Sequence, residues 1–470
     1  MSAEPLALLP ELVLLLGAVI ILLTGSFLPR RRQWVSRLLA AGVLLASLGC
    51  TAYGLASSSS RLVYSGTYAL DGPTTIARIV VPSAALLLLL LGSDELAGAA
   101  RESEAYVLTL LVTLGSIVLA GASDLSLLAV AFLLASVPMY AVIGLTRAPR
   151  ATEAALKAYL LGAFTGVAML LGATLLFGVA GGTSYATLAS GLPGAPVAAV
   201  AVGLVGVLAG LMFKAGAVPG HFWVPDASQG ASPTAAALLT TLPKVGGVLA
   251  AYRLLGAVPS SVVDGPLLLA VLAALTMTLG NLAAFGQDDP RRLLGWSTVS
   301  QAGYLLMAVA VAGRSTLALP AVGFYLAAYA VTNLGAFAVT AALPERDRLE
   351  HYRGLAYQRP VLAGALLVTL LGLVGTPPAA VFVGKLTVFS AAFDGGFAWL
   401  VVVAAVNTVA SLFYYLRWLA PVFDRSGVSG RPESRRRPYA QTAAAVAGVA
   451  SLVLGLAAAV GLQADLVLLR

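Results

Sequence analysis

The 470-residue sequence contains few charged residues: Asp, Glu, Lys and Arg make up 10% of it, whereas 59% of its residues are hydrophobic. Soluble domains carry roughly 25% charged residues, so a water-soluble globular protein is excluded. The net charge of +8 does not indicate a nucleic-acid partner, because the basic residues lie in short loops between apolar segments, where they act as membrane orientation signals. The apolar runs are long and do not alternate with polar residues, which argues against an outer-membrane barrel.

Cysteine and histidine are almost absent. The one cysteine, Cys50, permits no internal disulfide and no cysteine-based metal cluster. The two histidines, His221 and His351, lie far apart in the sequence, which excludes a haem or copper site built from several histidines.

Long apolar segments fill the chain instead. A membrane-spanning helix needs about 20 predominantly apolar residues, and fourteen segments meet that description. They lie near 6–28, 35–56, 74–92, 105–121, 123–145, 154–180, 195–216, 233–255, 265–285, 292–312, 320–342, 361–391, 397–422 and 439–462. We expect the first to be retained rather than cleaved as a signal peptide, because no basic residue precedes it. The sequence therefore predicts an all-α polytopic membrane protein with about fourteen transmembrane helices.

Arginines in the connecting loops predict the orientation. Counted over the predicted loops, eighteen arginines fall on one side of the membrane and four on the other. Because cytoplasmic loops carry the excess of Lys and Arg, the arginine-rich side is predicted to be cytoplasmic. Both termini are then expected on the non-cytoplasmic side.

Lysine is rarer than arginine and is distributed differently. The chain has 24 arginines but only four lysines, and each lysine lies in or at the edge of an apolar segment: Lys157, Lys214, Lys244 and Lys385. A buried lysine can release its proton, whereas arginine cannot, and placing a charge at a helix centre costs roughly 2.5–3.5 kcal/mol. Lysines in such positions therefore indicate groups that take up and release protons. For Lys157 a simpler role stays open, because Glu153 lies one helical turn earlier and predicts a surface ion pair.

Prolines interrupt the segments around three of these lysines. Pro219 follows Lys214, Pro243 directly precedes Lys244, and Pro377 and Pro378 precede Lys385. Proline has no N–H to donate to the carbonyl four residues earlier, and in lipid such a carbonyl needs another partner. Broken helices that carry ionisable groups are typical of transport sites, often in paired repeats.

The spacing of the two longest interruptions predicts an internal repeat. We divide the chain into N-terminal helices at 1–104, a first five-helix repeat at 105–255, a second at 265–422, and a last loop and helix at 423–470. The two repeats are expected to be inverted relative to each other. Lys214 and Lys385 then occupy corresponding broken helices.

Other polar residues accompany the lysines. His221 is a candidate proton carrier, since imidazole titrates near neutral pH, although it could equally cap a re-entrant loop. Asp226 is predicted to cap the next helical stretch. Gln301 and Tyr304 do not titrate near neutral pH and are candidates for holding water beside a proton path.

Several motifs occur in a characteristic order. They are Pro10-Glu11, Glu104-Ala-Tyr106, Ser136-Val-Pro138-Met-Tyr140, the run from Glu153 to Lys157, that from Phe213-Lys214 to Pro225-Asp226, Gly280-Asn281 to Gln287, Ser297 to Tyr304, Gly375-Thr-Pro377-Pro378, Gly384-Lys385, and Asn407 to Arg417. With these motifs the chain resembles the antiporter-like membrane subunits of respiratory complex I over nearly its whole length. Among them it is most similar to subunit N of bacterial NADH-quinone oxidoreductase, the counterpart of mitochondrial subunit 2.

The resemblance implies a function and a site. Lys214, Lys244 and Lys385 would form a central hydrophilic axis that relays protons together with water, and Lys157 would lie near the point of proton uptake. NADH, flavin, iron–sulfur clusters and quinone would be bound by partner subunits, and this chain would bind no cofactor or metal. Its partners would be other membrane-arm subunits and the lipid bilayer of a bacterial inner (plasma) membrane.

The chain departs from the family pattern on the fifth and tenth predicted helices. Leu133 stands where the family usually has a glutamate, and Gln301 stands where a histidine is common. A carboxylate near Lys214 would stabilise its charged form, so its absence predicts either that Lys214 is neutral more of the time or that it pairs with Glu153 or Asp124 instead. We hypothesise that this chain pumps weakly or with altered coupling.

Two alternative functions stay open. The first is a subunit of a multisubunit Na⁺/H⁺ antiporter or of a membrane hydrogenase, which share the core architecture. Hard cations favour oxygen ligands, and the fifth predicted helix contains no acidic residue between Leu125 and Thr146, which disfavours a sodium path. The second is a structural subunit whose pump has decayed; Leu133 and Gln301 favour it, whereas the three central lysines oppose it.

Overall fold

In a computed structural model, which describes residues 5–55, 60–425 and 436–468, the chain is almost entirely helical over those residues. Two short strands, β1 (Arg61–Val63) and β2 (Tyr68–Leu70), form an antiparallel hairpin in which Leu62 lies opposite Ala69. The predicted loop that begins the segment 423–470 lies mainly outside the described residues.

Three long helices precede the first predicted repeat. They are α1 (Leu9–Phe27), α2 (Trp34–Leu55) and α3 (Gly72–Leu96). Pro10 occupies the first turn of α1, where its missing N–H would have no helical partner. Asp71 begins α3 by accepting a hydrogen bond from the N–H of Thr74. A buried ion pair between Glu11 and Arg78, with a nitrogen–oxygen distance of 2.7 Å, joins α1 to α3.

Seven helices follow between residues 102 and 257. They are α4 (Glu102–Gly121), α5 (Leu125–Ile143), α6 (Pro149–Ala180), α7 (Tyr185–Gly191), α8 (Val197–Ala215), α9 (Trp223–Gly230) and α10 (Pro233–Ala257). Asp124 begins α5 and Ser232 begins α10, each by accepting from a backbone N–H of the first turn. Such caps satisfy donors that a helix leaves unpaired at its start.

Eight further helices complete the part of the chain that the structure describes. They are α11 (Gly265–Phe285), α12 (Pro290–Val309), α13 (Ala318–Ala342), α14 (Leu355–Gln358), α15 (Pro360–Val374), α16 (Ala380–Asp394), α17 (Ala398–Val422) and α18 (Pro438–Leu468). Asp264 and Asp289 cap α11 and α12 in the same way.

The helices are interrupted at two places beside central lysines. Residues 216–222 separate α8 from α9, and residues 375–379 separate α15 from α16. Each break opens on a glycine in the left-handed region, Gly216 with φ of 69° and Gly375 with φ of 91°. Glycine adopts this conformation without the steric cost that a side chain would add.

All fourteen predicted segments correspond to helical segments, and twelve of the described helices are long and apolar enough to cross a membrane. The two other segments differ: α12 is less apolar, and the segment 361–391 is the broken pair α15 and α16. Four polar residues in the middle of α12, Ser297, Thr298, Ser300 and Gln301, are all buried. The lower hydropathy of α12 therefore comes from polar side chains that face other helices rather than lipid.

The most buried helices lie in the middle of the molecule. Nearly every residue of α10 and α13 is buried, and α12 lies against both of them. By contrast, α6 and α17 expose apolar side chains on their outer faces, including Phe164, Leu171 and Phe413. Such stripes are suited to contact with acyl chains or with neighbouring subunits, whereas the polar side chains of the centre are shielded from lipid.

Candidate functional site

Lys385 lies at the second break, close to the end of α15. Its ammonium donates to the backbone oxygen of Val374 at 2.8 Å and to Oγ1 of Thr408 on α17 at 3.3 Å. The same nitrogen lies 4.0 Å from the centre of the Tyr304 ring, a favourable position for a cation. Lys385 is only 3% exposed, so a buried ammonium is held here by neutral groups.

The prolines of this break explain the contact. In an uninterrupted helix, the N–H groups at positions 377 and 378 would donate to the carbonyls of Leu373 and Val374. Pro377 and Pro378 have no N–H, and these two carbonyls accept instead from the Gln301 side chain, at 2.9 Å, and from the lysine ammonium. The break thus provides backbone acceptors for polar side chains inside an apolar segment.

Lys244 lies in the middle of α10, directly after Pro243, and is 2% exposed. The predicted interruption at Pro243 is wrong, because α10 continues through this proline from Pro233 to Ala257. Its ammonium donates to the backbone oxygen of Thr298 on α12 and lies 4.9 Å from the centre of the Tyr329 ring on α13. The hydroxyl of Tyr329 donates in turn to the backbone oxygen of Thr240, one turn before the lysine, at 2.9 Å. Three helices therefore surround this ammonium with neutral acceptors and an aromatic face.

Lys214 is the next-to-last residue of α8 and is 1% exposed. Among the described residues, its ammonium has no hydrogen-bond partner. The aromatic rings of Phe132 and Phe213 lie nearby, with their centres 5.1 and 5.9 Å from the nitrogen. The charge is therefore less well satisfied than that of either other central lysine.

The two carboxylates predicted as substitute partners of Lys214 have other partners, and that prediction is wrong. Glu153 pairs with Lys157 at 2.8 Å, as its spacing of four residues predicts. Asp124 caps α5 and accepts a hydrogen bond from Thr183 at 2.6 Å. Glu153 is held within its own helix, and Asp124 is held at the start of α5. Neither carboxylate therefore contacts Lys214 at the end of α8.

Leu133, which stands where the resemblance places a glutamate, lies on the outer face of α5 and is 52% exposed. It borders an apolar groove between α5 and α6. Its neighbour Phe132 points the other way and lies over Lys214. In the described chain, position 133 therefore faces away from the buried ammonium.

Gln301 and Tyr304 lie on α12 and belong to the surroundings of Lys385. The carbonyl oxygen of Gln301 accepts a hydrogen bond from Tyr325. The hydroxyl of Tyr304 accepts from Thr408 at 3.1 Å, and the oxygen of that threonine accepts from Lys385. A hydrogen-bonded chain thus runs from α12 through α17 to the second break.

His221 lies in the first break and is 1% exposed. Its ring stacks on Phe222, with centres 4.1 Å apart, and lies 5.8 Å from Trp296. In the described chain no hydrogen bond joins His221 to Lys214 or Lys244. Its role as a bridging proton carrier stays a prediction.

Glycines allow close packing beside two of the lysines. A methyl group added at Gly247 would lie 2.8 Å from Cβ of Lys214, and one added at Gly375 would lie 2.9 Å from Cδ of Lys385. Both distances are shorter than carbon–carbon contacts allow. Gly247 is less than one turn from Lys244 on α10. The close contact of Gly247 with Lys214 therefore places the first two central lysines at a similar height on the adjacent helices α8 and α10.

Comparison with known proteins shows the family to which the chain belongs. Residues 122–411 match the family described as "NADH:quinone oxidoreductase/Mrp antiporter, TM". The chain is 50% identical to NADH-quinone oxidoreductase subunit N of Mycobacterium sp. (strain JLS), with 97% of each protein covered. It is 54% identical to NADH-quinone oxidoreductase subunit N 1 of Streptomyces griseus subsp. griseus, with 98% of each covered. The chain belongs to the NADH-quinone oxidoreductase subunit N family.

A solved structure supports the same assignment. A chain of respiratory complex I from Thermus thermophilus with bound aureothin superposes with a TM-score of 0.80 at 32% identity, covering 95% of this chain and 97% of that one. The family predicted from the motifs is therefore confirmed, and so is the prediction of a multi-span, all-α membrane protein.

The position of Asp226 in this member of the subunit N family differs from prediction. Because α9 begins at Trp223, Asp226 lies inside the first helical turn rather than at the cap. Its carboxylate pairs with the ammonium of Lys157 at 3.0 Å and with the guanidinium of Arg292 at 2.6 Å. These partners lie 69 and 66 positions away in the sequence, so no local pattern indicated them.

Proposed function

We propose that this chain is the proton-translocating membrane-arm subunit of a complex I-type NADH-quinone oxidoreductase and that its buried lysines carry the protons. One observation supports this most directly. Lys214, Lys244 and Lys385 are each at most 3% exposed, and their ammonium groups contact backbone oxygens, a hydroxyl and aromatic rings rather than carboxylates of the described residues. Release of a proton from such a group does not break an ion pair, so charged and neutral forms can both be populated.

The polar residues of α12 support transfer between the second and third lysines. Thr298 accepts from Lys244, and Tyr304 contacts Lys385 through its ring and through Thr408. Gln301 lies between them on the same helix. We propose that water completes the path from Lys214 to Lys244, with His221 beside it, and that protons are taken up near Lys157 and Glu153.

The energy for translocation must come from outside this chain. Moving one proton against 100 mV stores about 2.3 kcal/mol. We propose that NADH oxidation in partner subunits supplies it and that flavin, iron–sulfur clusters and quinone are bound there, so the chain acts as a subunit of the translocating enzyme without redox chemistry of its own. It would contact other membrane-arm subunits within the bacterial plasma membrane.

The orientation and the internal repeat belong to the same proposal. The arginine-rich loops would face the cytoplasm and both termini the other side. Segments 105–255 and 265–422 would be inverted repeats, each with one broken helix and one central lysine at that break. The left-handed glycines at both breaks, Gly216 and Gly375, favour this division.

A structural subunit with weakened pumping is the second candidate. The observation that favours it is Lys214, whose ammonium has no hydrogen-bond partner among the described residues. A subunit of a Na⁺/H⁺ antiporter or membrane hydrogenase is a third candidate and predicts sodium-dependent transport.

Two substitutions of Lys244 in the intact complex test the proposal. Lys244→Met removes the charge, whereas Lys244→Arg keeps a charge that cannot be released; both should abolish or strongly lower NADH-driven proton uptake into inverted membrane vesicles. Arg314→Gln is the matched control, because Arg314 forms an ion pair with Asp264 at the surface, at 3.3 Å. If Lys244→Met assembles and translocates protons like the unmodified complex, the subunit is structural. If proton uptake requires sodium, the antiporter alternative is favoured.

A further inference from the structure

One carboxylate connects the helix after the first break to two other helices. Asp226 on α9 presents one oxygen to Lys157 on α6, at 3.0 Å, and the other to Arg292 on α12, at 2.6 Å. Its side chain is 26% exposed. Since Lys157 also binds Glu153 at 2.8 Å, the two cations and two carboxylates form a network rather than an isolated pair.

A second layer of contacts extends this network to the start of α12. Gln229 accepts from Arg292 at 3.1 Å and donates to Asp289 at 3.2 Å. Asp289 is the residue that caps α12, accepting from the N–H groups of Arg291 and Arg292 at 2.9 and 3.0 Å. The same turn of α9 is therefore bound to both a side chain and the capping residue of α12.

The backbones of α9 and α12 are also in close contact. A methyl group at Gly295 would lie 2.8 Å from the Cα of Pro225. Arg291 donates to the backbone oxygen of Ala231, just after α9, at 2.6 Å. These contacts hold the two helices at a separation that only glycine permits.

The two helices are connected to different central lysines, α9 through the chain and α12 through side-chain contacts. α9 follows directly after the break that contains His221, and that break connects it to α8, the helix carrying Lys214. α12 carries Thr298, which accepts from Lys244, and Tyr304, whose ring lies against Lys385. A displacement of α9 relative to α12 would therefore move the first break relative to the helix that contacts the second and third lysines.

We propose that Asp226 is a positioning residue that fixes α9 to α12, so that the first break and the helix beside the second and third lysines move as one unit during proton transfer; this inference rests on the proposed function. Aspartate suits this role because its two oxygens face opposite helices and both partners are cations. Asparagine has nearly the same shape, but it has one acceptor oxygen and no charge, and it cannot hold both cations.

Asp226→Asn in the intact complex tests the inference, with Lys214→Met as the reference. The measured quantity is the number of protons translocated per electron, which does not depend on how much complex assembles. Asp226→Asn should lower this ratio to that of Lys214→Met, and the double variant should be no worse than Lys214→Met alone, because both act on the same step. Asp264→Asn, which removes a surface ion pair outside the network, should leave the ratio unchanged.

The possible outcomes separate this inference from the function it rests on. If Lys214→Met lowers the ratio and Asp226→Asn does not, Asp226 has no positioning role although the proposed function stands. If Lys214→Met itself leaves the ratio unchanged, the proposed function fails. If Asp226→Asn does not assemble, Arg292→Gln decides: an assembled Arg292→Gln complex with the unmodified ratio overturns the inference, and one with a lowered ratio supports it.

Amide hydrogen exchange gives an independent check. In assembled Asp226→Asn complex, exchange should increase together in α9 and in the first turns of α12, because the contact that joins them is lost. Asp226→Glu, which keeps the charge, should restore most of the protection and of the ratio. An increase confined to α9 would show that the two helices do not move as a unit.

Discussion

Replacing Lys385 by methionine should remove the contribution of this subunit to proton translocation and leave the complex assembled. The substitution removes a buried charge whose presence costs roughly 2.5–3.5 kcal/mol at a helix centre. It also leaves the backbone oxygen of Val374 without the donor that now lies at 2.8 Å, which costs about 1–3 kcal/mol. The two effects have opposite signs and similar sizes, and methionine fills irregular apolar space well, so the net change in stability should be close to zero.

The assay separates assembly from transport. Native gels report assembly, oxidation of NADH reports electron transfer, and quenching of a pH-sensitive dye in inverted vesicles reports proton uptake. The Lys385→Met complex should assemble and lose the contribution of this subunit to proton uptake. Lys385→Arg should behave the same way, since arginine cannot release its proton. A Lys385→Met complex with the unmodified number of protons per electron would refute the reasoning.

Three further substitutions test other parts of the structure. Glu11→Gln leaves the largely buried Arg78 without its carboxylate partner at 2.7 Å, although its bond to the backbone oxygen of Ala7 remains. The substitution should cost about 3 kcal/mol, the lower end for a buried pair, and lower the yield of assembled complex on native gels; adding Arg78→Met should restore part of that yield. Gln301→Leu removes the donor to the Leu373 carbonyl, so proton translocation should be lost faster when the complex is heated. Gln301→His keeps a donor and should lose translocation at about the rate of the unmodified complex. Leu133→Glu should leave the number of protons per electron unchanged, because position 133 faces away from Lys214; a raised number would support the hypothesis that the absent glutamate weakens pumping.

Much of the fold follows from the sequence because the bilayer imposes it. The thickness of the hydrocarbon region fixes the length of each apolar segment, so the fourteen predicted segments correspond to helical segments of the structure. Prolines and glycines in the sequence indicated where the two breaks lie, since proline cannot donate a hydrogen bond to the preceding turn. The confinement of lysine to apolar segments singled out Lys214, Lys244 and Lys385 without any structural information.

The partners of these residues were decided only by the tertiary structure. The local sequence predicts that Asp226 caps a helix. Its partners, however, are residues of other helices that lie 69 and 66 positions away in the sequence. The outward direction of Leu133 was equally hidden, because α5 is apolar on every side and its pattern does not show which face turns inward. In water a polar stripe would mark the outer face of a helix; in lipid both faces are apolar, so the packing of neighbouring helices determines which side chains meet.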